Sequence, residues 1–513
     1  MVDRNLPVLR RDLLRGGPLL LATLRLPAAP ALAAEQPKPA VFDAATVRNM
    51  ARELAGKPYK APASALSDDF AKLTYDQYRS VRFDPSRALW HGKGLPFEVR
   101  FFHRGFIYKD RVDIYEVSDG KAAAIAYSPD LFDFSEVKRP AAEDGGFAGF
   151  RIYTPLNVPD RFDEFCVFLG ASYFRAVARN QAFGLSARGL AIKTGDPGGE
   201  EFPVFRAFWI ERPQPGVGSI VVHALLDGPS ASASFRFTIR PGDETLFDVE
   251  SAIYPRADID RAGLAPMSSM FYFGPNDHAR VDDYRPAVHD SDGLMMLTGW
   301  GEQLWRPLAN PVDLQISSFS DVNPRGFGLM QRRHDFAAYR DLESHYERRP
   351  SLWVEPIGDA GSGAVLLVEI PTNREIHDNI AAFWRPAQAL RAKGEYNFNY
   401  RLHWCWDRPS GNDLAKAVET RSGAGSQKDS RLFVVEFVGD RLKALPGDAK
   451  LRAEVKADHG KIDNVVTQPN PENGGWRLSF ELAAGGARAV ELRAQLLAND
   501  AAASEAWVYR WTS

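Results

Sequence analysis

Ala233-Ser234-Phe235-Arg236-Phe237-Thr238-Ile239-Arg240 alternates apolar and polar side chains without a break, and Tyr396-Asn397-Phe398-Asn399-Tyr400-Arg401-Leu402-His403-Trp404 does the same. Successive side chains of an extended strand point to opposite faces, so both stretches predict half-buried strands of an antiparallel sheet. From about Phe97 onward many strand-like runs are separated by Gly, Pro, Asn and Asp, the residues that turn a chain. The predicted fold class is all-β, a large sandwich of antiparallel sheets. Ahead of it, residues 43–55 read as a helix with Val47, Met50, Ala51 and Leu54 on one face and Gly56 as its stop. A second short helix is expected near 68–73.

A chain of 513 residues is too long for one compact core, so two or more domains are expected. Residues 408–430 are rich in Ser, Gly and charge and contain Ser422-Gly423-Ala424-Gly425-Ser426. They read as a linker between a domain over 34–407 and one over 431–513. In the latter, strands expected near 432–438, 476–482, 489–494 and 507–511 suit a small immunoglobulin-like sandwich.

Arg10-Arg11-Asp12-Leu13-Leu14-Arg15 is a twin-arginine pattern, followed by a modest apolar run over 18–26 and a small-x-small site at Ala31-Leu32-Ala33. Residues 1–33 are therefore read as a twin-arginine signal peptide, removed on export to the periplasm. No later stretch is apolar enough to insert in a membrane. A net charge of −3 argues against a dedicated nucleic-acid binder. Cys166 and Cys405 make neither a disulfide framework nor a zinc site. They read as buried free thiols, with pairing in an oxidising compartment as the alternative. P-loop, dinucleotide fingerprint, G-x-S-x-G and H-E-x-x-H motifs are absent, which weighs against nucleotide enzymes, serine hydrolases and zinc proteases.

Two distant stretches set a carboxylate beside a histidine: His289-Asp290-Ser291-Asp292-Gly293 and Glu375-Ile376-His377-Asp378-Asn379. Such pairs suit acid/base work on sugars, where one carboxyl protonates the leaving oxygen and another assists the attacking group. Each stretch also has a plainer reading. Asp-Ser-Asp-Gly is ordinary turn chemistry, and Thr372-x-x-Glu375 could be a capping box. Residues 380–384 could belong to a helix or, in an all-β context, to a buried strand. Asp378 stands at the start of that apolar element, where partial desolvation would make it a credible general acid. A metal site at Asp290 and Asp292 lacks the remaining ligands of a calcium loop, so no metal is expected. Tyr346, Arg349, Trp353 and Trp384 are the candidate ligand contacts, as aromatic and guanidinium groups near the acids.

The runs FLGASYFR (168–175), GLSARGL (184–190), FWIE (208–211), HDSDG (289–293), NPRGFGL (323–329), RPSLWVEP (349–356) and DNIAAFWRP (378–386) resemble the periplasmic glucan biosynthesis family. These are the G and D proteins of osmoregulated periplasmic glucans, and the twin-arginine leader is similar to the D branch. The resemblance implies a large galactose-mutarotase-like β-sandwich followed by a small immunoglobulin-like one. It also implies an inverting endo-β-1,2-glucanase, with Asp378 matching the general acid and Asp290 matching a general base that acts through a relay of waters. Tyr346, Arg349 and Glu375 match sugar-binding and relay positions, and His289 and Asp292 complete the substrate-binding set. The implied partner is β-1,2-glucan, without metal or organic cofactor, and a homodimer is compatible with the resemblance. Three other functions stay open: a transglycosylase making cyclised or branched glucan, a non-catalytic glucan-binding biosynthesis factor and, on fold analogy alone, a mutarotase-like epimerase.

Overall fold

A computed structural model describes residues 39–62, 66–140, 145–408, 413–445 and 451–513. The expected twin-arginine leader and cleavage site lie outside them. Among the described residues the regular structure is mostly strand, arranged as a large sandwich followed by a small one. Among the described residues no helix is long and apolar enough to cross a membrane.

The alternating stretch that predicts a strand is one. Ala231–Arg240 pairs with Ile220–Asp227 on one side and Thr245–Pro255 on the other. Its Ala233, Phe235, Phe237 and Ile239 enter the main core, while Arg236, Thr238 and Arg240 stay half-exposed. Tyr396-to-Trp404 is split into Tyr396–Asn397 and Asn399–Cys405, and Phe398, Tyr400, Leu402 and Trp404 still face that core. Opposite this layer stands a ten-stranded sheet that includes Asp163–Leu169, Tyr173–Ala176, Ser186–Arg188, Ala262–Ser269, Ser362–Glu369 and Ile380–Pro386. Phe168, Phe174, Phe237 and Phe247 fill the space between the two layers in ring-to-ring contact. Both thiols, Cys166 and Cys405, are free and buried.

The leading helix is Thr46–Ala55, with Val47 and Ala51 packed beside Trp209, Leu225 and Tyr254. Met50, expected on the same face, is exposed. The helix begins later than residue 43 because the Asp43 carboxylate accepts the Ala45 N–H (3.0 Å) and the Thr46 hydroxyl (2.7 Å) ahead of the first turn. The second helix is the short Asp68–Ala71.

The linker expected over 408–430 has to be corrected. Lys416–Ala424 is a strand, paired with Ser430–Val438, and 425–429 is only the turn between them. Its Ser-Gly-rich part is the paired outer end of the strand, where half-exposed to exposed small residues need bury little. Ala417, further in, sits in the second core. The strand Lys461–Asn470 is hard to read because its side chains are mostly exposed, whereas Leu451–Ala457 alternates Leu451, Ala453, Val455 and Ala457 toward the second core with Arg452, Glu454 and Lys456, a strand pattern legible in the sequence and missed.

The small sandwich is also fused to the large one rather than tethered to it. Ala506–Thr512 runs parallel to Gln303–Pro307, with Leu304 opposite Ala506 and Trp305 opposite Trp507. One core then contains Met295, Trp305, Met330 and Trp353 from the large sandwich with Phe433, Phe480 and Trp507 from the small one. Glu505, without solvent contact, accepts from Arg332 Nη2 (2.9 Å), Gln303 Nε2 (2.8 Å) and the Ala417 N–H (2.8 Å). The Arg332 guanidinium lies on the Trp305 ring at 3.4 Å.

A buried cation robbed of its carboxylate keeps its desolvation cost and loses the attraction that offset it. Glu505→Ala should therefore destabilise the protein by about 3–5 kcal/mol, read as a fall in the midpoint of chemical unfolding. An unchanged midpoint would mean that the seam does not depend on this ion pair.

Candidate functional site

Asp290 and Asp378 are separated by 88 positions in the chain, yet one short ribbon fixes both. Val288–His289 pairs antiparallel with Phe271–Phe273, with His289 opposite Phe271, and the Asp290 N–H then bonds the Met270 carbonyl at 2.8 Å. On the other side of Phe271, the Asn379 side chain plays the part of a strand. Its Oδ1 accepts the Phe271 N–H (2.9 Å), and its Nδ2 donates to the carbonyls of Phe271 (3.0 Å) and Ile370 (3.0 Å). Asp378 is thereby held one residue before an amide that grips Phe271, and Asp290 one residue after the histidine paired with it. Of the alternatives for 372–384, the strand is realised, as Ile380–Pro386, and no helix follows Thr372.

Each acid has its own arginine. Arg349 Nη1 donates to Asp290 Oδ1 at 2.6 Å, and Arg175 Nη2 lies 4.0 Å from Asp378 Oδ2. Arg349 can lie flat because residue 184 is glycine: a Cβ there would meet its Cδ at 3.0 Å. Its guanidinium covers the Tyr346 ring at 4.5 Å, and Tyr346 is itself buried. Burial pushes the Tyr346 hydroxyl up to about 12, against the opposing pull of Arg349. Glu375 is held by Arg285 at 2.8 Å, and the same guanidinium also binds Asp283 (2.8 Å) and Asp341 (2.7 Å). One cation therefore closes three loops around the acids.

The desolvated carboxyl is not the expected one. The Asp378 side chain keeps 41% of its exposure, whereas that of Asp290 keeps 7%. Burial raises the Asp290 pKa above its ordinary value, Arg349 opposes that shift, and the negative charge of Asp378 adds to it. Asp378 is open because it belongs to the loop before the strand, not to the strand.

Four of the expected ligand contacts stand elsewhere. Trp384 is fully buried in the main core, its Nε1 donating to the Ala360 carbonyl at 3.2 Å. Trp353 is buried in the seam between the sandwiches. His289 is enclosed behind Asp290, stacked on Phe271 with ring centres 5.3 Å apart, and Nδ1 meets Gln331 Oε1 at 3.0 Å. Its Nε2 is 3.3 Å from Asp292 Oδ1 but is not aligned as a hydrogen bond. Burial lowers the His289 pKa to about 4, so the ring is neutral near pH 7. Asp292 accepts the backbone N–H groups of Arg332 (2.7 Å) and Arg333 (3.3 Å). Burial disfavours its charge, but His289, Arg333 and these amides outweigh burial and lower its pKa. It lines a small cavity at the seam with Trp305 and Thr420. His289 and Asp292 thus support the acid-bearing loop from behind.

Arg175, Arg285 and Asn379 were not singled out as site residues. Arg175 could have been, since alternation in 172–176 places Tyr173 and Arg175 on the solvent face. Arg285 joins loops that nothing in the sequence pairs. Among the described residues no group of three His, Cys, Asp or Glu side chains could hold a metal ion.

Comparison with known proteins yields a family and relatives. The family model described as "Periplasmic glucan biosynthesis protein, MdoG" matches residues 42–511. A Glucans biosynthesis protein G from Bradyrhizobium diazoefficiens is 58% identical over 506 residues, covering 98% of this chain and 99% of its own. The protein of that name from Rhodopseudomonas palustris strain BisA53 is 60% identical, covering 94% and 96%, and one from Vibrio cholerae is 50% identical, covering 92% and 87%. These three carry the G designation, not the D branch expected from the leader. A solved galactose mutarotase related enzyme from Lactobacillus acidophilus covers 46% of this chain and 95% of its own at 8% identity, with a TM-score of 0.19, too low to carry an argument.

A raised carboxyl pKa means that folding favours the protonated form. The stabilising contribution of Asp290 is complete below its ordinary value of 3.8 and is lost as pH rises through its higher folded value. Arg349→Met removes the charge that opposes this shift, so the Asp290 carboxyl should titrate at still higher pH, read from its carboxyl carbon resonance. Titration at the same or lower pH would contradict the pairing.

Proposed function

The chain belongs to the MdoG family of periplasmic glucan biosynthesis proteins, and from that premise we propose an inverting endo-β-1,2-glucanase, exported to the periplasm by the twin-arginine route. The observation that carries the reading is the pinning of two unlike carboxyls on opposite sides of Phe271. Asp378 is open to solvent, and Asp290 is nearly closed to it.

Asp378, as the general acid, donates a proton to the glycosidic oxygen as the bond to the anomeric carbon breaks. A water attacks that carbon from the opposite face, and its proton passes through intervening waters to the Asp290 carboxylate. A base buried this deeply cannot touch the sugar, which is why its role requires a relay. A carboxylate with raised pKa is also a better proton acceptor than an exposed one. Arg349, donating to Asp290, opposes the effect of burial and so favours the ionised form that this task needs, and Glu375, held by Arg285, presents a polar group near Asp378. The inverted configuration follows from direct displacement by water, and the step balances without an external reagent.

Incubated with linear β-1,2-glucan, the mature wild-type protein should release shorter linear oligosaccharides, identified by chromatography and mass spectrometry. Asp378→Asn should slow that release by about 10²–10⁴-fold. Products lighter by one water per chain would move the same site to transglycosylation. No product from either protein, with binding retained, would replace the enzyme by a glucan-binding factor.

A further inference from the structure

The solvent face of the ten-stranded sheet continues past the acids. In Tyr173–Ala176, Phe174 and Ala176 enter the core while Tyr173 and Arg175 face outward. Arg175 reaches Asp378, and Tyr173 lies two residues further along the strand, about 7 Å away. Opposite Tyr173 in the register stands Arg188. Its guanidinium carbon is 5.0 Å from the Tyr173 ring centre and 5.1 Å from that of Phe202, and Nη2 pairs with Glu200 at 2.7 Å. Tyr173, Arg188 and Phe202 thus form a cluster in which Phe202 is the exposed member, at 49%. Burial raises the Tyr173 pKa, Arg188 opposes this, and the charges of both Glu200 and Asp378 add to it, as suits a ring lying between Asp378 and Phe202.

The backbone on both sides of the exposed ring is held. The Glu201 N–H bonds the Ile192 carbonyl at 3.0 Å, and the Glu201 carboxylate takes both the N–H (2.9 Å) and the hydroxyl (2.5 Å) of Ser230. Just beyond Phe202, the Phe205 N–H bonds the Ala171 carbonyl at 2.9 Å. Nothing in the core requires an aromatic residue at 202. A rigid, half-exposed ring with a cation behind it offers a flat apolar platform at little entropic cost.

We propose that Phe202 is an outlying sugar-stacking subsite, which takes a pyranose ring of the same β-1,2-glucan whose bond the acids break. The inference rests on the glucanase reading. Because the platform lies beyond Arg175 and Tyr173, a long chain spanning from Asp378 engages it and a short oligosaccharide does not reach it.

The test compares wild type, Phe202→Ala and Phe202→Trp on long linear β-1,2-glucan and on a short β-1,2-linked oligosaccharide, with binding followed by retardation in glucan-containing native gels. Phe202→Ala should raise KM for the long glucan by about three- to tenfold, and raise it less for the short one. Phe202→Trp, which keeps a ring, should restore the wild-type value. Retardation should fall with Phe202→Ala and return with Phe202→Trp. If wild type cleaves the long glucan and Phe202→Ala matches it, the subsite is wrong and the glucanase reading stands. If wild type binds without cleaving, the gel decides: weaker retardation of Phe202→Ala supports the platform, and unchanged retardation overturns it. If wild type neither cleaves nor binds, both readings fall.

Discussion

The site depends on the grip of one side-chain amide on one peptide unit. Asn379 satisfies both the N–H and the C=O of Phe271, and Phe271 is paired with His289 on its other side. These are buried groups, and a buried donor or acceptor left without a partner costs about 1–3 kcal/mol. The clasp is therefore strong enough to fix where the chain may go at residues 378 and 290. Two carboxyls from loops distant in sequence acquire a set geometry without touching each other, and each takes its environment from its side of the ribbon.

The charges around the ribbon are compensated in layers. Arg349 answers Asp290 directly, Arg175 stands near Asp378, and Arg285 gathers Asp283, Asp341 and Glu375 into one knot. Behind Asp290, a neutral His289 held between Phe271 and Gln331 lets the loop be buried without adding a charge beside the acid. The seam with the small sandwich lies just beyond, where Asp292 caps the backbone of Arg332 and Arg333, and Arg332 pairs with Glu505. The second sandwich is thus mechanically continuous with the wall that carries Asp290.

Much of this is legible from residues whose side chains alternate. The run 233–240 reads as a strand because one face is needed by the core, and 172–176 would have yielded Arg175 by the same rule. Nearness in sequence misleads where burial decides. Trp384 follows Asp378 closely, but it points inward with Ile380 and Ala382, and Trp353 serves the seam. The Ser-Gly-rich stretch at 422–426 reads as a linker because composition registers small residues and not the pairing that makes 416–424 a strand. The knot at Arg285 and the burial of Asp290 arise only when separate loops meet, and no local pattern announces them.

The central claim is that Asp378 and Asp290 act from opposite faces of a β-1,2-linked sugar with water as the attacking group. The most direct measurement is the anomeric configuration of the newly formed reducing end, followed by proton NMR in the first minutes of hydrolysis before mutarotation. The account predicts that the α-anomer appears first. Initial appearance of the β-anomer would mean retention through a covalent intermediate and would contradict the roles given to both acids.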